Sequence, residues 1–514
     1  MVATAFGPAA GGMTGRTLAS PAVTAALAAE LSLWARPGLV ILLAGAVGAG
    51  KSTFARAFIR ALAGGDESLA VPSPTFALIQ TYDQTRVPVA HADLYRLKNA
   101  AEVAELGLHD LAHEHVVLVE WPDRLDGEAF ENSLTLTFSG RGDSRVVTMA
   151  AMGAWRLALA RNAAITEFLA SQGRAGEARR FFEGDASARR YEVLGAGAGR
   201  VLLMDMPRRP DGPPVKDGKP YSAIAHLAED ISAVITVNGV LQARGFSAPR
   251  ILAHDAARGL ALIEFLDGQV YGHRRAAGED MAEAMAEAVA VLAAMAGESW
   301  PAVAEAHCLR HHLQPYDAEA LLIEADLLVA WYWPHVTGTP APDDMHDDFA
   351  RLWRRLLPHA MTAPPVWVLR DYHSPNLLWL PQQQGQRRVG IIDTQDAVLG
   401  HPAYDLASLL QDARIDIPRP EQDALYAHYL SLRAGQPGFD AESFGRAYAV
   451  LGAQRATKIL GIFARLSKRD GKHGYLRHMP RVAAYLRQNL EHPALAPLRA
   501  WYGTHLPAVL EDGA

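Results

Sequence analysis

A chain of 514 residues exceeds what one ordinary hydrophobic core can organise, so two or three domains are expected. Half the residues are hydrophobic and a fifth charged, which excludes a disordered chain, and a formal net charge of -7 excludes a broad, charge-driven nucleic-acid surface. The single cysteine, Cys308, excludes a disulfide framework and a cysteine zinc site and points to a reducing, cytoplasmic compartment.

The opening MVATAFGPAAGGMTGRTLAS lacks a basic stretch followed by a sustained apolar core, so it does not read as a secretory signal, and residues 1–17 are expected to form a flexible tail. No run is long and uncharged enough to span a bilayer, so no membrane partner is expected. Pro21 to Trp34 reads as a helix ended by Pro37-Gly38, and Leu39 to Ala44 (LVILLA) as a strand buried on both faces. Ser52 to Leu62 reads as a helix, and the strand-like runs Pro88 to His91 and Val116 to Val119 enclose the helix-like AAEVAELGL. This alternation predicts an α/β layer with a mainly parallel sheet. From Ser133 the alternating LTLTF and RVVTM predict a terminal antiparallel hairpin.

A new pattern begins near Trp155, and a boundary between Met149 and Trp155 leaves residues 18–150 and 155–514 as separate domains. The helical LALARNAAITEFLASQG leads to strands around Arg190 to Leu194 and Val201 to Met206, and Pro207 to Pro220 is a loop by composition. The rest is mostly helical, interrupted at Trp367 to Asp396 by two strand-like runs flanking the polar PQQQGQ.

Gly45-Ala46-Val47-Gly48-Ala49-Gly50-Lys51-Ser52 fits the P-loop pattern, placed directly after a buried strand and opening a helix. Gly45, Gly48 and Gly50 let the backbone curl so that its N–H groups face phosphate oxygens, Lys51 reaches the outer phosphates, and Ser52 can hold Mg²⁺. The helix that follows adds its positive end. Asp93 and Glu120 end apolar strands on the side of the sheet where such ligands sit, which makes them candidates for the metal and the attacking water. Alone, either could be an ordinary surface carboxylate.

The strings LLAGAVGAGKSTFARAFIRAL, VPSPTF, HADLYRL, AELGL and VEWPDRL, in that order, resemble TsaE, the small ATPase that serves threonylcarbamoyladenosine synthesis on tRNA. The resemblance spans roughly Leu18 to Val147 and implies ATP hydrolysis, with Lys51, Ser52 and Thr53 on phosphates and Mg²⁺. It implies Thr75 as a switch-like threonine, Asp93 as a metal-side acid, Glu120 as the acid that positions water, and Trp121 as an aromatic at the nucleotide. Its implied partners are the threonylcarbamoyl-transferase subunit and that subunit's inactive paralogue, with no direct nucleic-acid contact. Ala46 stands where the family usually has an acidic residue, which bears on hydrolysis more than on nucleotide binding.

Further along, Leu369-Arg370-Asp371-Tyr372-His373-Ser374-Pro375-Asn376 has the spacing of a kinase catalytic loop, between the apolar runs VWVL and LLWL. Asp371 would accept the substrate hydroxyl proton and Asn376 would hold Mg²⁺, while Asp393, emerging from VGII, is placed to bind the same metal. Arg370 reads as an anchor for the loop, and His373 and His401 as structural histidines.

This part resembles the aminoglycoside-phosphotransferase superfamily, and within it AmgK-type anomeric amino-sugar kinases of cell-wall recycling. The strings that carry the resemblance are GDASARRYEVL, VLLMDMP, LIEFL, LRDYHSPNLLWL, IIDTQDAVLGHPAYDLASLLQDAR and KILGIFARLSKRDGKHGYL. It implies a bilobal protein-kinase-like fold with an N-lobe over about 155–266 and a mostly helical C-lobe over about 267–514. ATP and Mg²⁺ are the implied cofactors, and the implied substrate is N-acetylmuramate or N-acetylglucosamine. Gly184, Ser187 and Arg190 would belong to the turn covering the phosphates, and Glu264 to Leu266 would offer backbone contacts to adenine. Methionine replaces the usual phosphate-pairing lysine in VLLMDMP, leaving Lys216 as a weak candidate for that role. One cation of the run Arg455, Lys458, Arg465, Lys468, Arg469 and Lys472 could meet the lactyl carboxylate of muramic acid, although such a run is usually a solvated face. Two alternatives stay open: a kinase acting on another small alcohol (aminoglycoside or choline-like), and an N-terminal domain that is a nucleotide-dependent interaction module with little turnover.

Overall fold

The computed structural model describes residues 14–98, 100–125, 129–140, 144–182, 189–208 and 210–511. The chain forms two compact units, Met1–Met204 and Asp205–Ala514.

The first unit is built on a seven-stranded sheet of order β1-β7-β6-β2-β5-β4-β3. In chain order its elements are β1 (Thr14–Leu18), α1 (Pro21–Ser32), β2 (Val40–Ala44), α2 (Lys51–Leu62), β3 (Ile79–Tyr82) and β4 (Val89–Asp93). They continue with α3 (Ala100–Ala104), α4 (Leu108–Glu114), β5 (Val116–Glu120), β6 (Ser133–Ser139) and β7 (Arg145–Ala151). The inner strands β6, β2, β5 and β4 run parallel, and the pairs β6–β7, β1–β7 and β3–β4 are antiparallel. Every residue of β4 and β5 is buried, as expected of strands covered on both faces. Helix α1 starts where Ser20 accepts from the Val23 N–H at 3.4 Å and Pro21 takes the first turn.

One expectation is corrected here. Residues 14–17 are not tail but part of β1, because the alternating β7 offers an open edge that Thr14 to Leu18 completes residue by residue. Residues 1–13 lie outside the described residues.

Helix α5 (Gly153–Ser171) follows, and Trp155 is fully buried in the same core as Phe54, Phe58 and Phe138. An antiparallel hairpin of β8 (Arg179–Phe182) and β9 (Arg190–Leu194) comes next. A buried polar cluster ties these later elements to α1. Asn162 Nδ2 donates to Glu30 at 2.6 Å, and its Oδ1 accepts from Trp34 Nε1 at 3.3 Å and from Arg179 at 2.8 Å. Arg179 in turn pairs with the fully buried Glu192. The guanidinium of Arg190 also donates to Glu192 and lies 3.5 Å from the centroid of the Trp34 ring.

The second unit is mostly helical around one large apolar core. Its central helix, Ala441–Asp470, is 30 residues long and is capped by Asp440, which accepts from Ser443 N–H at 2.8 Å. Three short strands frame the kinase-like loop: Val366–Val368, Leu377–Trp379 and Val389–Ile391. The expected loop at Pro207 to Pro220 instead contains a small ribbon, Pro214–Lys216 paired with Lys219–Pro220, because Asp217-Gly218 supplies the positive φ angles of a tight turn.

Gly461 lets the central helix touch the backbone beside the π-helical turn Leu328–Tyr332. A Cβ there would lie 2.3 Å from the carbonyl carbon of Leu327 and 2.4 Å from its oxygen. Gly461→Ala is therefore expected to destabilise the unit by about 1–3 kcal/mol, read as a lower thermal midpoint. An unchanged midpoint would show that this contact is not tight. Among the described residues, no helix is long and apolar enough to cross a membrane.

Candidate active sites

The first site grows out of the strand-to-helix turn between β2 and α2. Gly45, Gly48 and Gly50 have φ of 131°, 74° and 110°, values that favour glycine. At Gly45 a Cβ would reach 2.4 Å from Phe138 O, so the loop is shaped as a cradle that any side chain there would disrupt. The Lys51 ammonium is buried, donates to Gly45 O at 2.8 Å and Ala46 O at 3.0 Å, and sits 3.7 Å from the Trp121 ring centroid. Burial lowers its pKa, against the opposing pull of Glu120, Asp93 and Asp123.

The parallel register places Asp93 beside Glu120 at the ends of β4 and β5. Glu120 accepts from Ser52 Oγ at 2.9 Å, and Asp93 accepts from Thr75 at 2.9 Å and Ser73 at 2.7 Å. Lys51, Ser52, Thr75, Asp93, Glu120 and Trp121 are thus brought together, and Thr53 follows them, exposed, in the first turn of α2. Two residues that the sequence reading missed complete the constellation. Buried His91 meets Glu120 at 3.1 Å, and Arg145 donates to the P-loop carbonyls of Ala49 at 2.9 Å and Gly48 at 3.1 Å. His91 could have been found from its period-2 position in β4, two residues before Asp93. Arg145 arrives from a strand far along the chain and left no local signal.

The second site is formed by the loop after strand Val366–Val368. Arg370 is buried with φ +68°, and its guanidinium bonds Ala225 O at 2.8 Å and forms an ion pair with the fully buried Glu324. Glu324 also accepts from Lys458 at 2.9 Å and from Tyr316. Burial alone would raise the Glu324 pKa, but Lys458 and Arg370 outweigh it and hold the carboxyl below its ordinary range.

Asp405 accepts the backbone N–H groups of Leu369 (2.6 Å) and Arg370 (2.9 Å), and Asp412 accepts Ser374 N–H at 2.8 Å. Desolvation pushes the Asp405 pKa up to about 7 in spite of those two donors. With its neighbours so fixed, Asp371 keeps its carboxylate 45% exposed on an otherwise buried loop. Asn376 donates to Asp371 O at 3.0 Å, and its own carbonyl accepts Ile392 N–H at 3.0 Å across the ladder that pairs Leu377 with Ile391. Asp393 follows at once with φ +65°, which places its backbone beside Asn376 at the end of that hairpin. His401 accepts Ala403 N–H at 3.2 Å, and burial drives its pKa down to about 4, as a structural histidine requires.

The other expected contacts divide. Glu264 ends strand Leu260–Glu264 with its carboxylate 3.1 Å from Arg250, and Leu266 O accepts Gly268 N–H at 3.0 Å. Gly184 and Ser187 lie outside the described residues. Arg190 donates to the fully buried Glu192 and stacks on the Trp34 face. Lys216 is likewise engaged by Glu319, outside the Asp371 cluster.

Both sites suit a hard dication also held by phosphate oxygens: each offers a carboxylate with a hydroxyl or amide oxygen, Asp93 with Ser52, and Asp393 with Asn376. Among the described residues there is no cluster of three or more histidine, cysteine or acidic side chains that could hold a metal by themselves.

Comparison with known proteins finds matches to both parts of the chain. The family model "Threonylcarbamoyl adenosine biosynthesis protein TsaE" matches residues 18–147, and the model "Phosphotransferase enzyme family" matches residues 178–443. An N-acetylmuramate/N-acetylglucosamine kinase of Caulobacter vibrioides is 36% identical over 356 residues, 68% of this chain and 97% of that protein. A protein with the same description from Pseudomonas putida is 31% identical over 318 residues, 61% of this chain and 84% of that protein. The tRNA threonylcarbamoyladenosine biosynthesis protein TsaE of Bacillus subtilis is 35% identical over 136 residues, 26% of this chain and 83% of that protein.

Proposed function

Because the chain belongs to the phosphotransferase enzyme family and carries a TsaE-family domain ahead of it, we propose that it is a bifunctional cytoplasmic enzyme. Its C-terminal domain, residues 155–514, transfers phosphate from ATP to the anomeric hydroxyl of N-acetylmuramate or N-acetylglucosamine in cell-wall recycling. Its N-terminal domain, residues 18–150, hydrolyses ATP in support of threonylcarbamoyladenosine formation on tRNA, working with the threonylcarbamoyl-transferase subunit and its inactive paralogue.

The observation that carries the kinase reading is the half-exposed Asp371 carboxylate, on a loop tied by Asn376 and by the buried Arg370–Glu324 pair, with Asp393 at the end of the adjoining hairpin. Asp371 accepts the proton of the sugar hydroxyl, while Asn376 and Asp393 would hold Mg²⁺. In the first domain the loop amides and Lys51 bind phosphates, Ser52 and Asp93 would hold the metal, and Glu120 orients water. Bound Mg²⁺ would supply neutralisation of phosphate charge at each site.

The experiment incubates the purified chain with ATP and N-acetylmuramate and assigns the product by phosphorus NMR. An α-1-phosphate is expected. A phosphate on another hydroxyl, or preference for choline or kanamycin offered in parallel, would contradict the reading.

A further inference from the structure

His91 stands two residues before Asp93 on β4, so the two side chains leave the strand on the same face. In the parallel register Asp93 pairs with Glu120 of β5, and His91 reaches Glu120 along the diagonal, Nε2 to Oε1, at 3.1 Å. Both side chains are buried, at 1% and 3% exposure. Among the described residues this is the one side-chain hydrogen bond of His91.

The contact tells the two oxygens of Glu120 apart. Oε2 accepts from Ser52 Oγ at 2.9 Å, on the P-loop side, and Oε1 is held by His91. A glutamate carboxylate otherwise turns freely over a broad torsional well, so a ring fixed in a buried strand removes that freedom. Ser52 is also the hydroxyl expected on Mg²⁺, which leaves His91 as the partner of Glu120 whose bond does not compete with the metal. The far ring nitrogen, Nδ1, is buried without a hydrogen-bond partner. A carboxylate only accepts, so the contact needs the ring proton on Nε2, whereas a proton on Nδ1 would be a buried N–H with no acceptor.

Resting on the reading of the first domain as an ATPase, we propose that His91 is a positioning residue for hydrolysis: its Nε2–H locks the Glu120 carboxylate in one rotation and leaves Oε2 turned to the phosphate pocket, where the attacking water is oriented. The test is steady-state ATP hydrolysis by the full chain without sugar, for wild type, His91→Leu and His91→Gln, with the rate of Lys51→Ala subtracted as the contribution of the second site. His91→Leu keeps the apolar bulk but not the donor, and its kcat is expected to fall about 10- to 100-fold. Its KM for ATP should stay within about two-fold of wild type, which also verifies that the P-loop is intact. His91→Gln carries an amide nitrogen to the reach of Nε2 and should recover most of the rate. In ¹⁵N-histidine spectra, with the His91 signals assigned by their loss in His91→Gln, the proton should sit on Nε2. Unchanged kcat in His91→Leu, equal losses in both variants, or a proton on Nδ1 would overturn the assignment. If wild type hydrolyses no ATP above Lys51→Ala, the underlying ATPase reading falls and this assignment with it.

Discussion

Asp371→Asn is expected to lower kcat for sugar phosphorylation by about 10²–10⁴-fold while leaving ATP hydrolysis at the P-loop unchanged. Asparagine keeps the shape of the side chain but cannot take a proton. Burial would raise the Asp371 pKa, yet His373, Lys458, Arg370 and Arg455 together outweigh it and hold the carboxyl below its ordinary range. The sign of the pH dependence follows. A base with a depressed pKa is already ionised at neutral pH, and its function is lost only as pH falls through that lowered value. The kcat/KM profile should therefore show no acid limb from Asp371 within or above the ordinary carboxylate range. Rates from a stopped assay across pH, together with the melting curve of the variant, check both points. Wild-type turnover in Asp371→Asn would remove this residue as the base.

Glu324→Ala should be the most damaging substitution outside the site itself. It leaves Arg370 and Lys458 as uncompensated buried cations, a loss of about 3–5 kcal/mol, and it frees the arginine that anchors the catalytic loop. A midpoint lowered by roughly 10 °C with loss of kinase activity is expected in thermal melts. Adding Lys458→Met should restore part of the stability, since one of the two orphaned charges then disappears. Additive losses in the double variant would mean that the two side chains are not coupled. Because Glu324 is held below its ordinary range, its contribution is present at neutral pH and is lost only as pH falls through that lowered value.

What the sequence disclosed and what it hid follow one physical line. The P-loop, the strand-end acids Asp93 and Glu120 and the Asp371 to Asn376 loop are local constellations, fixed by a few adjacent residues and their strand or helix context. Glu324 was not legible: nothing in LLIEAD announces that its carboxylate will meet Arg370 and Lys458, which come from other segments of the unit. Arg145 on the P-loop carbonyls and Asn162 between Glu30, Trp34 and Arg179 were hidden for the same reason. The pairing of Arg190 with Glu192, two residues away, was not legible in its string either. The helical basic run reads in the sequence either as a solvated face or as the seat of a carboxylate-binding cation, and only its burial divides it into internal anchors, exposed lysines and Arg465.

The Asn162 cluster also explains why residues 155–204 fall in one compact unit with the P-loop sheet. Helix α5 buries Trp155 in the core of that sheet, and β8 and β9 are tied to α1 through Glu192 and Trp34.

Two separate Mg²⁺-nucleotide cradles on one chain are most directly tested by counting bound nucleotide. Equilibrium dialysis with a non-hydrolysable ATP analogue and Mg²⁺ should give two molecules per wild-type chain and one per chain of Lys51→Ala. A single molecule in wild type, or none in Lys51→Ala, would contradict the presence of two independent sites.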